Sequence, residues 1–491
     1  MIVDISQISC YYFVNLKRNN FKEVCKMSEN RVKDLTTGSP LKLELSFMLP
    51  LLFGMLFQQL YNMVDTVVVG KYIGVEALAG VGSTGSINFL VLGLCNGICA
   101  GFAIPVAQKF GQRDYDGLRK FVGNMIWLSA VIAAVVTVVT TGLCRRILVW
   151  MNTPADTFDY AYDYIFLIFL GIPAIMLYNL LSGIIRSLGD SRTPLYFLIF
   201  SSLLNVALDL LFIVAFRMGV AGAAWATLLS QLLSGLLCLY FIGKHFPVLH
   251  LGADDLKLKK TYVNHLLAMG LPMGMQYSIT AVGSILLQTA VNGLGSTAMA
   301  AMTAGGKVSM FVVCPYDAIG STAATFAGQN LGAGKPERVH EGVKASAVMG
   351  TVYSVLIFAA LYLWGGDLSK IFLDTKDTGA VAQILPLSRQ YLLANAAFYI
   401  PLLYVNLLRF TIQGLGFSNL AVFAGVGEMI ARGVFGLCLV PWLGFNAVCF
   451  ANPAAWVAAD LFLFPAYFYC LKKRGFNPEY RLSFRTVKAK G

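Results

Sequence analysis

Charged residues are scarce in this chain. Asp, Glu, Lys and Arg make up 13% of its 491 residues, roughly half of the ~25% usual in soluble domains, which excludes a water-soluble globular protein. Histidine is scarcer still. The four residues His245, His250, His265 and His340 lie in or beside basic loops, and none has the spacing of a metal-ligand set. Ten cysteines form neither a CxxC motif nor a paired framework; even Cys95 and Cys99, which share a helical face, read as small buried hydrophobes. Short segments of alternating polarity are absent, which excludes a transmembrane β-barrel. Clustered His, Ser or acidic motifs of an enzyme are also missing, so neither catalysis nor a cofactor is expected. The first 26 residues lack the apolar core of a signal peptide. Met27 opens a short polar lead, and residues 1–26 are expected to precede the natural start.

What the chain has in plenty is apolar length. Hydrophobic residues are 57% of it, in runs long enough to cross a bilayer as helices of roughly 20 residues. About twelve such runs begin near residues 44, 82, 120, 160, 194, 219, 262, 304, 342, 383, 417 and 445, predicting an all-α integral membrane protein. The net charge of +12 reads as topology rather than nucleic-acid binding. About three-quarters of the Lys and Arg fall on one side when loops are assigned alternately, and the positive-inside rule makes that side cytoplasmic. Both termini are then cytoplasmic, as an even number of crossings requires. A multi-pass protein of a bacterial inner membrane, acting as a monomer, is expected.

The pattern occurs twice. Gly74-Val-Glu-Ala-Leu-Ala79, Gln108-Lys-Phe-Gly111 and Asp116 return as Gly295-Ser-Thr-Ala-Met-Ala300, Gln329-Asn-Leu-Gly332 and Glu337. Pro50 matches Pro272, and Arg186-Ser-Leu-Gly189 matches Gln413-Gly-Leu-Gly416. The expected organisation is a cytoplasmic segment 1–43, a six-helix lobe 44–243, a charged linker 244–261, a second six-helix lobe 262–471 and a basic tail 472–491. Six crossings per repeat give the halves the same orientation, with substrate bound between them and access alternating as one lobe rocks against the other.

One stripe of the first helix is polar. Asp65 is the sole charge between Glu44 and Gly70, and a charge at membrane depth costs a few kcal/mol, so it is rare without a use. Gln58 and Asn62 share its face, with Tyr61 beside them. Asn205 and Asp209, four apart, face one space; Thr227 and Gln231 do the same on the following helix. Asn179 and Ser182 lead toward Arg186, with Tyr178 adjacent. In the second half Gln276, Thr280 and Tyr399 are expected to line the cavity, aromatic faces offering contact to a cationic substrate. Two carboxyls held together out of water suit a proton carrier. The same carboxyls with amide and hydroxyl oxygens suit a hard cation such as Na+.

The run PLLFGMLFQQLYNMVDTVVVGKYIGVEALAGVG, the loop Gln329-Asn-Leu-Gly-Ala-Gly-Lys335 and Gly222-Ala-Ala-Trp-Ala-Thr227 resemble the multidrug and toxic compound extrusion (MATE) transporters, over roughly residues 35–475. The resemblance implies a V-shaped pair of six-helix lobes that exports organic cations in exchange for H+ or Na+. It further implies a DinF-like branch, whose coupling residues match Asp65, Asn205, Asp209 and Thr227 here, the candidate Na+ ligands included. NorM-like members carry acids on the seventh and tenth helices. Those helices offer only uncharged polar groups here: Gln276, Thr280, Ser284 and Gln288, then Asn395, Tyr399 and Asn406.

Other intramembrane charges are read from spacing. Glu428 and Arg432 are expected to pair at i, i+4, Asp317 to face the second cavity or a helix break, and Asp460 has no partner in the sequence. The alternative within transporters is a flippase for lipid-linked or polysaccharide substrates, which would line its cavity with Arg and Lys. A membrane enzyme or scaffold is the alternative outside them.

Overall fold

The computed structural model describes residues 33–151, 153–373 and 378–476; the proposed start-site segment 1–26 and most of the basic tail lie outside them. Lipid offers the backbone no hydrogen bonds, so a chain this apolar satisfies its own as helices. The crossings are α1 (Pro40–Tyr72), α2 (Glu76–Gly111), α3 (Tyr115–Trp150), α4a and α4b (Phe158–Leu170 and Ile172–Ser187), α5 (Arg192–Ala215) and α6 (Val220–His245). The second half repeats them as α7 (Lys260–Asn292), then α8 (Ser296–Gly332), α9 (Pro336–Lys370), α10a and α10b (Val381–Ala396 and Tyr399–Gly414), α11 (Ser418–Leu443) and α12 (Phe445–Lys473). Among the described residues nine helices are each apolar enough to span a membrane, or up to 11 with the two bent pairs. The 33-residue α7, whose polar stripe lowers its apolarity, completes the expected twelve.

Irregular features come in matching pairs. α4 bends by 47° and α10 by 50°, each just before a proline (Pro173, Pro401) whose missing N–H is tolerated in a helix's first turn. α5 and α11 both widen into π-helix, at Leu210–Ala215 and Val434–Leu439. The turns that follow use glycines of matching backbone angle, Gly219 at φ 62° and Gly444 at φ 57°, a region that costs glycine little. The duplication legible in sequence is thus a duplication of backbone geometry.

The two lobes exchange the ends of their first helices. Phe47, Met48 and Leu51 of α1 lie in the C-terminal lobe's core with Tyr316, Phe326 and Leu403. Val68 and Val69 at the other end pack with Ala77, Ile213 and Val220 of the N-terminal lobe. Conversely Leu266 of α7 belongs to the N-terminal core, and Leu287 and Val291 to the C-terminal one. Glycines permit the crossing of α2 and α7. A Cβ on Gly101 would stand 2.6 Å from Gly270 Cα, and one on Gly97 2.7 Å from Gly274 Cα, a small-xxx-small contact on both helices.

At the end rich in Lys and Arg the lobes are latched by the two copies of one motif. Gln108 Nε2 donates to the Gly414 carbonyl (2.9 Å), and Gln329 Nε2 donates to the Ser187 carbonyl (2.9 Å). Gly111 lies directly on the Gln329 carbonyl and Gly332 on the Gln108 carbonyl. The segment before α1 crosses this latch as a strap. Leu35, fully buried, donates its N–H to Gln329 Oε1 (3.1 Å). Asn330 Nδ2 donates to the Leu35 carbonyl, Lys335 Nζ to that of Thr36 and Arg338 Nη2 to that of Gly38. Deeper in, Ser346 Oγ of α9 donates to the buried Glu44 of α1 (2.8 Å).

Three outcomes follow from this packing. Gly101→Leu should cost several °C of thermal stability in detergent, because backbone rather than a rotatable side chain fills the space. Gly243→Ala, which meets nothing within 4 Å, should be neutral or gain up to ~1 kcal/mol of helix propensity. Gln329→Ala strips partners from the Leu35 N–H and the Ser187 carbonyl, a loss of about 1–3 kcal/mol. Amide hydrogen exchange at Leu35–Gly38 should then rise roughly tenfold or more; unchanged exchange would mean the latch does not hold the strap.

Candidate functional site

Three helices of the N-terminal lobe bring Asp65, Asn205, Asp209 and Thr227 together. α5 packs between α1 and α6, and the i, i+4 spacing turns Asn205 and Asp209 toward both neighbours. Asn205 is the hub. In the amide orientation that satisfies both ends, its Nδ2 donates to Asp65 Oδ1 (2.9 Å) and its Oδ1 accepts from the Thr227 backbone N–H (3.2 Å). Asp209, 0% exposed, is the last α-helical residue before the π-helical turn, an irregularity frequent at functional sites. Its carboxyl faces that of Asp65 within hydrogen-bond reach, and neither of its oxygens has another partner among the described residues. Carboxyls facing one another in this way repel when both are ionised and can share one proton.

Phenols close the site. The Tyr61 hydroxyl stands among Gln58, Gln231 and Asp65. Tyr164, on α4a, faces Asp65, Tyr61 and Asp209 and was not singled out in the sequence, although Tyr160 one turn earlier marks the same face. Gln58 and Asn62 are exposed on the Asp65 side of α1. Tyr178 and Asn179 are less free than their stripe suggests. The Tyr178 hydroxyl donates to the Pro194 carbonyl (3.4 Å) and Asn179 Nδ2 to Ile175 of its own helix (2.9 Å). Arg186 Nη1 donates to Ser182 Oγ (3.0 Å).

The C-terminal lobe departs from two expectations. Tyr399 does not line an open cavity: at 1% exposure it packs between Tyr316 and Trp456. Gln276 is likewise enclosed, accepting from Gln413 Nε2 (2.6 Å), whereas Thr280 remains half-buried. The Glu428–Arg432 pair forms (3.3 Å), but Arg409 of α10b, absent from the sequence reading, also hydrogen-bonds Glu428. Arg432 Nε donates to Asn452 Oδ1 (3.0 Å), and Asn452 Nδ2 to the Tyr391 hydroxyl (3.2 Å). Asp317 and Asp460 both face the Arg409 charge, which gives Asp460 the partner its sequence context lacks. The described residues contain no group of three or more His, Cys, Asp or Glu that could hold a metal ion.

Comparison with known proteins places this architecture. The MatE family model matches residues 50–211 and again 272–437, once per lobe. The probable multidrug resistance protein YpnP of Bacillus subtilis (strain 168) is 28% identical over 420 residues, covering 84% of this chain and 92% of its own. YoeA of the same strain, also a probable multidrug resistance protein, is 26% identical over 69% of this chain and 75% of its own. A solved outward-facing conformation of a multidrug resistance MATE family transporter of the MOP superfamily superimposes with a TM-score of 0.84 at 20% identity, over 90% of this chain and 98% of that one. With its two halves each matching the family model, the chain belongs to the MATE family of membrane transporters and is not an enzyme.

Proposed function

We propose that this multidrug efflux transporter exports cationic, amphipathic compounds by antiport with H+, the proton and the cation competing for the Asp65–Asp209 pair. What supports the choice of H+ over Na+ is the hydrogen-bonding setting of Asn205. A hard cation needs oxygens, yet both ends of the Asn205 amide are satisfied only when its N–H is assigned to Asp65 and its oxygen to the Thr227 backbone N–H. As arranged, the site suits a shared proton; Na+ would require the amide to turn over and break both hydrogen bonds. Acids without a basic residue among them also favour cationic over phosphate-bearing substrates, which argues against the flippase alternative.

α1 supplies the coupling. It is one 33-residue helix that carries Glu44 and Phe47 in the latched end and Asp65 in the site, roughly 30 Å apart along its axis. Pro50 lies between them and allows it to bend. Loss of the shared proton leaves like charges facing one another, which a substrate cation relieves. Reprotonation removes that need and releases the cation. One charge moving down 100 mV supplies ~2.3 kcal/mol, about a fiftyfold concentration ratio. On this reading the basic end faces the cytoplasm of a bacterial inner membrane, the transporter works as a monomer, and the acids on α1 and α5 ally it with the DinF-like branch.

The test is efflux of a fluorescent cation from proteoliposomes with ΔpH and ΔNa+ imposed separately. ΔpH alone should drive export, and Asp65→Asn or Asp209→Asn should reduce it at least tenfold with the fold intact. Export driven by ΔNa+ alone would overturn the proton assignment. Asn205→Ala removes one hydrogen bond to Asp65, worth about 1–3 kcal/mol, and should shift the pH midpoint of transport while leaving some export. An unchanged midpoint would mean that Asn205 does not set the proton affinity.

A further inference from the structure

The charged linker between the lobes is pinned by its backbone, which leaves its side chains free. Asn124 of α3, fully buried, is the anchor. Its Oδ1 accepts from the Lys259 N–H (2.9 Å), and its Nδ2 donates to the Lys257 carbonyl (3.3 Å). One turn on, Trp127 Nε1 donates to the Leu256 carbonyl (3.2 Å). Gly123 lies directly under the Asp255 carbonyl. Leucine and lysine alternate along the pinned stretch, and Leu256, Lys257, Leu258 and Lys259 are all exposed, Leu258 by 63%. The strap before α1 makes the contrast. By the Pro50–Pro272 correspondence it is the linker's copy, yet its Leu35 is sunk in the C-terminal core.

What the linker's leucines face follows from α3. Trp127, Val131, Val135 and Val138 recur every three or four residues and are all exposed, the lipid-facing stripe of a crossing helix. Trp127 closes that stripe at the linker, and indoles favour the depth of the membrane–water interface. Leu256 and Leu258 therefore lie level with the lipid headgroups. The acids nearby are already paired: Asp254 with Lys257 (2.6 Å), Asp255 with Arg119 (3.4 Å) and Asp116 with Arg119. Lys120, Lys259 and Lys260 form no salt bridge among the described residues, so the patch has an excess of positive charge. The geometry points to a binding site for an anionic phospholipid on the linker. Trp127, Leu256 and Leu258 enter the interface, while Lys120, Lys259 and Lys260 attract the headgroup's net negative charge. Because the linker joins the two lobes, a lipid held there ties their junction to the membrane surface.

The test reads which lipid stands beside Trp127. The full chain is reconstituted in vesicles of equimolar phosphatidylcholine and phosphatidylglycerol, with quenching brominated chains placed on one lipid or on the other. Subtracting the fluorescence of Trp127→Phe isolates this indole from the other tryptophans. Its quenching should be roughly twofold or more stronger when the bromine is on phosphatidylglycerol, and Lys259→Gln/Lys260→Gln should remove that excess. Equal quenching by the two lipids would overturn the proposal. So would an excess that survives the double substitution, since the lipid would then be held by other residues. If the double variant melts below the parent chain, the parent chain in about 1 M salt decides. Screening within ~3 Å should abolish the excess, and an excess unchanged by salt would overturn the proposal. Cation efflux is not measured, so the site stands or falls apart from the antiport reading.

Discussion

Every charge held at membrane depth must find its compensation inside the protein, and the arrangement of both lobes follows from that requirement. Lipid cannot solvate a carboxylate or a guanidinium, so each one recruits helices around it. In the N-terminal lobe two carboxyls meet and Asn205 joins them to α6. In the C-terminal lobe two arginines converge on Glu428, and two aspartates on other helices face Arg409. One lobe thus sets acid against acid, the other acid against permanent cations. This asymmetry is chemical, because the backbones beneath repeat one another down to their bends and π-helical turns.

The duplication also explains how the lobes grip each other. Gln108 and Gln329 are the same position in two copies, and each reaches for the carbonyl that the other's lobe presents at Ser187 or Gly414. Such reciprocity arises without separate invention when a repeat packs against itself about a twofold axis. The strap at Leu35 breaks the symmetry, since it binds Gln329 but not Gln108. The exchanged ends of α1 and α7 make the interface more than a surface contact. Each lobe begins with a helix seated partly in its neighbour, so a rotation of one lobe must reposition that helix.

Much of this was legible in the chain, for physical reasons that differ by feature. Helix number followed from the length of apolar runs, because a bilayer sets the length of what crosses it. Asp65, Asn205 and Asp209 were legible because a charge in lipid is costly and because helical spacing puts neighbours four apart on one face. Glu428 and Arg432 were legible by the same rule. Arg409 was not, since its partner sits on the following helix and no local period joins them. Tyr399 misled because one period was extended across α10, whereas the helix bends by 50° between Ala396 and Tyr399. Tyr164 reaches the site from a helix whose register against α1 depends on packing.

The sequence by itself determined an all-helical membrane protein, its twofold repeat, and the stripes on which polar groups had to lie, because these depend on periodicity and on the cost of polarity in lipid. Only the tertiary structure decided which stripes meet. The pairing of Asp65 with Asp209, the convergence of Arg409 and Arg432 on Glu428, and the latch of Gln108 and Gln329 each join residues of different helices. Contacts of that kind are set by how helices cross, and crossing is governed by shape, as where Gly97 and Gly101 let α2 close onto α7.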